Sequence, residues 1–173
     1  ASDVYKRQME ELFMLSIQIS DIKDFMSHLL SKDTFDHFYF IEASIKMGVS
    51  YQIQGRINEG FYDTSVEQTL NREFCYWKEI RHRIFDIIKG KRLPLSCKIV
   101  LGLSKQSISY LIAHNNSSFR EEDIEGIYIN ILYDPKNLLI TTGISYKNFS
   151  LDKSLEYAFD EYLAKFLKEK AVI

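Results

Sequence analysis

Residues 127–146 read IYINILY, then DPKN, then LLITTGISY, and this stretch decides the fold. Ile127, Ile129, Ile131 and Tyr133 alternate with Tyr128, Asn130 and Leu132, the period-2 pattern of a half-buried strand. Asp134-Pro135-Lys136-Asn137 has turn chemistry, because Pro presets φ while Asp and Asn side chains bond their own backbone. Leu138, Ile140, Thr142, Ile144 and Tyr146 then return as a second strand. An antiparallel pair with one apolar face needs another layer to cover that face.

Working outward, the cover is written on both sides. Downstream, Ser150 or Asp152 opens a helix that places Leu155, Ala158, Phe159, Tyr162, Leu163, Phe166 and Leu167 inward. Lys165, Lys168 and Lys170 lie toward its C-terminal end, where the helix dipole favours cations. Upstream, Cys97, Ile99, Leu101 and Leu103 form a strand, and Ser104 caps a helix with Ile108, Leu111 and Ile112. Residues 95–170 thus give the order βαββα, and residues 13–92 give it again. There, Phe13, Leu15, Ile17 and Ile19 form a strand, and Ile22, Phe25, Met26, Leu29 and Leu30 a helix. Tyr39, Ile41, Ala43 and Ile45 form one arm of a hairpin around Met47-Gly48, with Val49, Tyr51, Ile53 and Ile57 on the other. Residues 60–75 have no clear period, and Trp77, Ile80, Ile84, Ile87 and Ile88 mark a helix stopped by Gly90 and Pro94.

The expected fold is therefore α+β. One domain over 9–173 would hold one mainly antiparallel sheet of about six strands with about four helices packed on it. The first six elements also fit a ferredoxin-like sandwich with an added αββα. The doubled order is similar to one domain of a DNA sliding clamp, without the fourth strand of each clamp repeat.

Composition narrows the class. Among 173 residues there are only seven Gly and two Pro, with 14% aromatics, which excludes linker-rich and low-complexity chains. A net charge of −2 excludes a wholly basic nucleic-acid coat. Cys75 and Cys97 lack any CxxC or secretory context, so reduced thiols in a cytoplasmic protein are expected. No apolar run reaches membrane-span length. Residues 1–8, ASDVYKRQ, resemble the translated end of a sequencing-library adapter and are set apart as a non-native scar on a gene from an environmental assembly, with Met9, Met14 or an upstream residue as the start.

His28, on the polar side of the first helix, and His37, His82 and His114 have no partners at metal-ligand spacing, and Asp33, Asp36 and His37 come nearest to a cluster. No nucleophile motif and no glycine-rich phosphate loop is present, so no catalytic residue, metal or cofactor is assigned. Glu121, Glu122, Asp123 and Glu125 read as a solvated turn.

One segment stands out. Between Tyr76 and Arg92, Lys78, Arg81, Arg83, Lys89, Lys91 and Arg92 face only Glu79 and Asp86, a local excess of four positive charges. Lys78, Arg81, His82, Phe85 and Lys89 share one helical face, which Lys91 and Arg92 extend. Glu79 and Arg83 stand at pairing distance i, i+4. Trp77 is in phase with the apolar stripe and reads as core. Lys78, Arg81, His82, Lys89, Lys91 and Arg92 are the site assigned to an anionic partner, nucleic acid included. This makes a non-enzymatic binding or adaptor protein the leading reading. The alternatives are an enzyme assembled from distant residues, such as Asp33, His37 or Glu42 with groups of the second half, and a structural subunit that pairs through a sheet edge or an aromatic patch.

Met14–Met26 (MLSIQISDIKDFM), Thr34–Phe38 (TFDHF) and Glu42–Ile45 (EASI) carry a family likeness, as do Tyr76–Arg81 (YWKEIR), Ile88–Arg92 (IKGKR), Thr141–Gly143 (TTG) and Leu151–Glu156 (LDKSLE). Together they resemble a bacterial family of unknown function, numbered 5721. The resemblance implies a cytosolic protein of anaerobic gut-type bacteria with a start at Met14. It brings no activity and no site residues.

Overall fold

The computed structural model describes residues 15–63 and 71–173; the segment 1–8, the candidate starts Met9 and Met14, and Phe13 lie outside the described residues. The elements are β1 (Ser16–Gln18), α1 (Ile22–Leu30), β2 (Tyr39–Lys46), β3 (Ser50–Gln54), α2 (Trp77–Ile88), β4 (Ser96–Gly102), α3 (Lys105–His114), β5 (Ile124–Tyr133), β6 (Leu138–Tyr146) and α4 (Ser154–Glu169). Short 3-10 turns occupy Glu59–Phe61 and Glu121–Asp123. The six strands form one sheet in the order β1-β6-β5-β4-β2-β3, and every neighbouring pair is antiparallel. The α+β class and the six-stranded antiparallel sheet with four helices are as the sequence predicts.

The arrangement in space is not two like halves. β4, β5 and β6 lie side by side, whereas β1 stands at the opposite edge from β2 and β3. The ferredoxin-like alternative, which needs a central first strand, is thereby excluded.

One register explains the core. Ile53, Ala43, Ile99, Ile131, Ile140 and Ile17 pair in succession, so a single row of small and branched apolar side chains crosses all six strands. Flanking rows add Phe40, Leu101 and Ile129 on one side and Ile45, Cys97 and Tyr133 on the other. Against these rows pack Phe25 and Leu29 of α1, Trp77 and Ile84 of α2, Ile108 and Leu111 of α3, and Leu155, Phe159, Leu163 and Leu167 of α4, in one cluster.

The alternation expected in β2 breaks at Ile41. Phe40, not Ile41, enters the core, because the register shifts by one residue between Phe40 and Glu42, a β-bulge. Gly55 makes the bulge feasible. Its N–H donates to the Ile41 carbonyl at 2.8 Å, and a Cβ at this position would stand 1.8 Å from the Phe40 carbonyl oxygen. β3 therefore ends at Gln54, and 55–57 pairs with 73–75 through Cys75 N–H to the Gly55 carbonyl and Ile57 N–H to the Glu73 carbonyl. Ile57 belongs to this second pairing and not to the hairpin.

Polar groups are enclosed beneath α4. The Thr142 hydroxyl donates to Asp160 Oδ1 at 2.8 Å and accepts from the Leu15 N–H at 3.3 Å. Burial raises the Asp160 carboxyl above its ordinary value against the lowering effect of the Thr142 bond, and the neighbouring Glu156 charge adds a smaller rise. A carboxyl raised in the folded state opposes folding once it ionises, so its cost is absent below the unfolded pKa and present above the folded one. Asp160→Asn, which keeps an acceptor for Thr142, should leave stability at pH 3 unchanged. At pH 7 it should raise stability, because the ionised carboxyl's cost is then removed. Urea unfolding at the two pH values checks this.

Candidate functional site

α2 is built to hold one face inward and show the other. Its start is fixed by Glu79, whose Oε2 accepts the Tyr76 N–H at 2.6 Å, half of a capping box. Trp77 and Ile84 are fully buried, and the Trp77 Nε1–H donates to the Leu29 carbonyl at 2.7 Å, an acceptor left open by the end of α1. The core reading of Trp77 is thus correct. Gly90, with φ +147°, turns the chain out of the helix into the 91–95 loop.

The outward face carries the predicted cations in unequal states. Arg81 is not free: its Nε and Nη2 donate to Asp36 Oδ1 and Oδ2 at 2.7 and 3.2 Å, and its side chain is only 24% exposed. That bond raises the guanidinium pKa further. Arg81 therefore locks α2 to the 31–38 turn. Lys89 pairs with Asp86 at 2.8 Å in an exposed contact. Lys78 is exposed and sits 5.6 Å from the Tyr76 ring centroid. His82, Lys91 and Arg92 are exposed.

Glu79 does not pair with Arg83. The Arg72 guanidinium, 4.7 Å above the Tyr76 ring, forks onto both Glu79 oxygens and holds that carboxyl below its ordinary value. Arg83 is left exposed and, like Lys78, Lys91 and Arg92, has no carboxylate partner among the described residues.

Beside these cations lies a groove that periodicity alone did not reveal. It runs between α1 and α2 with a volume of about 560 Å³. Ile22, Met26 and Leu30 line one wall and Phe85, Ile88 and Leu93 the other, while Tyr133 and Pro135 close it at the β5–β6 turn. Lys23 and Lys89 stand on its rim. The available signal was Phe85, an aromatic residue in phase with the basic face, followed by Leu93 and Leu95, which are 67% and 68% exposed.

A family model described as a family of unknown function, DUF5721, matches residues 28–173. The chain belongs to that family. No curated protein and no solved structure matches it. All six predicted site residues fall within the DUF5721 match, while the whole Met14–Met26 likeness precedes it.

This DUF5721 member has a second concavity, a hollow of about 240 Å³ where Asp33, Thr34 and His37 meet Ser107, Tyr162 and Lys170 from the second half. Glu42 is not among its lining residues. His28, read from sequence as a polar-side residue, is 9% exposed and bonds to Thr34, which lines the hollow. The Lys32 ammonium donates to its Nε2 at 2.9 Å, so Nδ1 carries the proton and donates to the Thr34 hydroxyl at 2.8 Å. Among the described residues, no group of three or more His, Cys, Asp or Glu side chains is gathered as a metal site would need. No helix among them is long and apolar enough to cross a membrane. Cys75 and Cys97 are free thiols, pushed up by burial to about 11 and about 12, so neither is an activated nucleophile.

Proposed function

We propose that this chain is a non-enzymatic binding protein that takes an anionic partner along residues 78–92. The observation that supports this reading is the set Lys78, Arg83, Lys91 and Arg92, exposed and without a carboxylate partner among the described residues, in a chain of net charge −2. His82 and the rim residue Lys89 complete the contact surface, and Arg81 serves as a positioning residue held by Asp36. Nucleic acid is one anionic class with the right charge. The adjoining groove favours another, because nucleic-acid interfaces are polar and strongly positive, whereas an apolar groove beside cations suits an acidic protein surface with apolar side chains.

Fluorescence-anisotropy titration with labelled polyglutamate, single-stranded DNA and RNA at two salt concentrations tests the reading. Binding to polyglutamate should weaken with salt and fall by about tenfold or more when Lys78, Arg83, Lys91 and Arg92 are reversed to Glu. Tighter binding to DNA or RNA would reassign the partner class. Binding to none of the three at low salt would remove the proposal.

The hollow at Asp33, His37 and Lys170 favours a second reading, an enzyme acting on a small polar molecule, since both halves of the chain contribute to it. A thermal-shift screen with small carboxylic acids and amines checks this. A rise in the unfolding midpoint that His37→Ala abolishes supports it, and no rise removes it.

A further inference from the structure

We propose that the groove between α1 and α2 receives the 147–151 loop of a second copy of this chain, so that copies associate head to tail. This rests on the reading of 78–92 as an anion-binding segment and names its partner. The loop carries the complementary pattern. Phe149 is 90% exposed and Leu151 81% exposed, two apolar side chains two residues apart with nothing of their own fold to cover them. Around them the charge is acidic: Glu121, Glu122, Asp123, Glu125 and Asp152 outnumber Arg120, Lys147 and Lys153. The Lys147 N–H donates to the Asp123 carbonyl at 2.9 Å, which fixes the loop against that acidic turn.

The groove offers the inverse, apolar walls with Lys23 and Lys89 on the rim and Lys91 and Arg92 beyond it. The two patches cannot meet within one molecule. The groove abuts the turn at Pro135, the loop follows Tyr146, and the nine residues of β6 between them span roughly 30 Å. Two different patches this far apart on one molecule make a heterologous contact, which adds copies head to tail into a row or, where the rotation closes, a ring. Two apolar anchors and a charged rim place the contact in the small, weak class.

Sedimentation analysis over a concentration series up to millimolar tests this, with Phe149→Asp/Leu151→Asp and Leu93→Asp, all at exposed positions, as loop and groove variants. The wild type should grow in mass beyond a dimer as concentration rises, and each variant alone should remain a monomer. A mixture of the two should form one-to-one pairs and nothing larger, because one partner keeps its groove and the other its loop. A wild-type monomer at every concentration would overturn the proposal, as would self-association that both variants retain, or a mixture that fails to pair. Polyglutamate binding by a wild type that stays monomeric would overturn this inference alone. Loss of both would overturn the underlying reading as well.

Discussion

Gly55→Ala is expected to remove a large part of the folding stability, about 3 kcal/mol or more. The added Cβ would stand 1.8 Å from the Phe40 carbonyl oxygen and 2.6 Å from its carbon, and both atoms belong to backbone that cannot rotate away. Relief requires β2 and 55–57 to separate. That costs the bond from Gly55 N–H to the Ile41 carbonyl and strains the one from Cys75 N–H to the Gly55 carbonyl. It also loosens Phe40, which is fully buried against Trp77. Gly48→Ala is the control, since its Cβ would meet nothing within 4 Å, and it should change stability by about 0.5 kcal/mol or less. Urea unfolding followed by circular dichroism separates the two. Equal losses in both variants would contradict the close approach at Gly55.

Trp77→Ala should cost a similar amount, about 3–5 kcal/mol, through the cavity it leaves among α1, α2 and β2. Trp77 is fully buried, its ring centroid lies 5.7 Å from that of Phe40, and its Nε1–H satisfies the Leu29 carbonyl at the end of α1. Trp77→Phe keeps most of the packing and loses the bond, so it should cost about 1–3 kcal/mol. The order Ala worse than Phe worse than wild type, read from unfolding midpoints, tests the two contributions separately. A loss below about 1 kcal/mol for Trp77→Ala would show that the side chain does not join the three elements. Because Trp77 anchors the helix that presents the cations, these variants report on the fold, and the binding tests use exposed residues instead.

Local pattern carried most of this structure. Strict alternation at 127–133, answered by a looser one at 138–146, places the hairpin, and the 3.6 period from Trp77 to Ile88 places α2, because the period of burial is written in the residues. The bulge at Ile41 was not readable, since one extra residue inverts the alternation and its cause lies in Gly55, across the strand pair. Strand order was likewise hidden. Ile17 pairs with Ile140 over a long stretch of chain, and alternation states which face is apolar without naming the neighbour. The charged site was half legible. Counting charges located 78–92, but Asp36 captures Arg81 and Arg72 captures Glu79 from segments that only tertiary folding brings near. The cations available to a partner are therefore only in part the ones that helical spacing selects: Lys78 stays available, Arg81 does not, and Arg83 joins it.

An anionic partner seated on 78–92 would be seen in an amide-resolved titration. Adding polyglutamate to the isotope-labelled protein at low salt should shift the backbone signals of Lys78, His82, Arg83 and Gly90–Leu93. Those of the acidic turn at Glu121–Glu125 should stay still, and high salt should reverse the change. Shifts confined to another face, or none at all, would show that 78–92 does not bind anions.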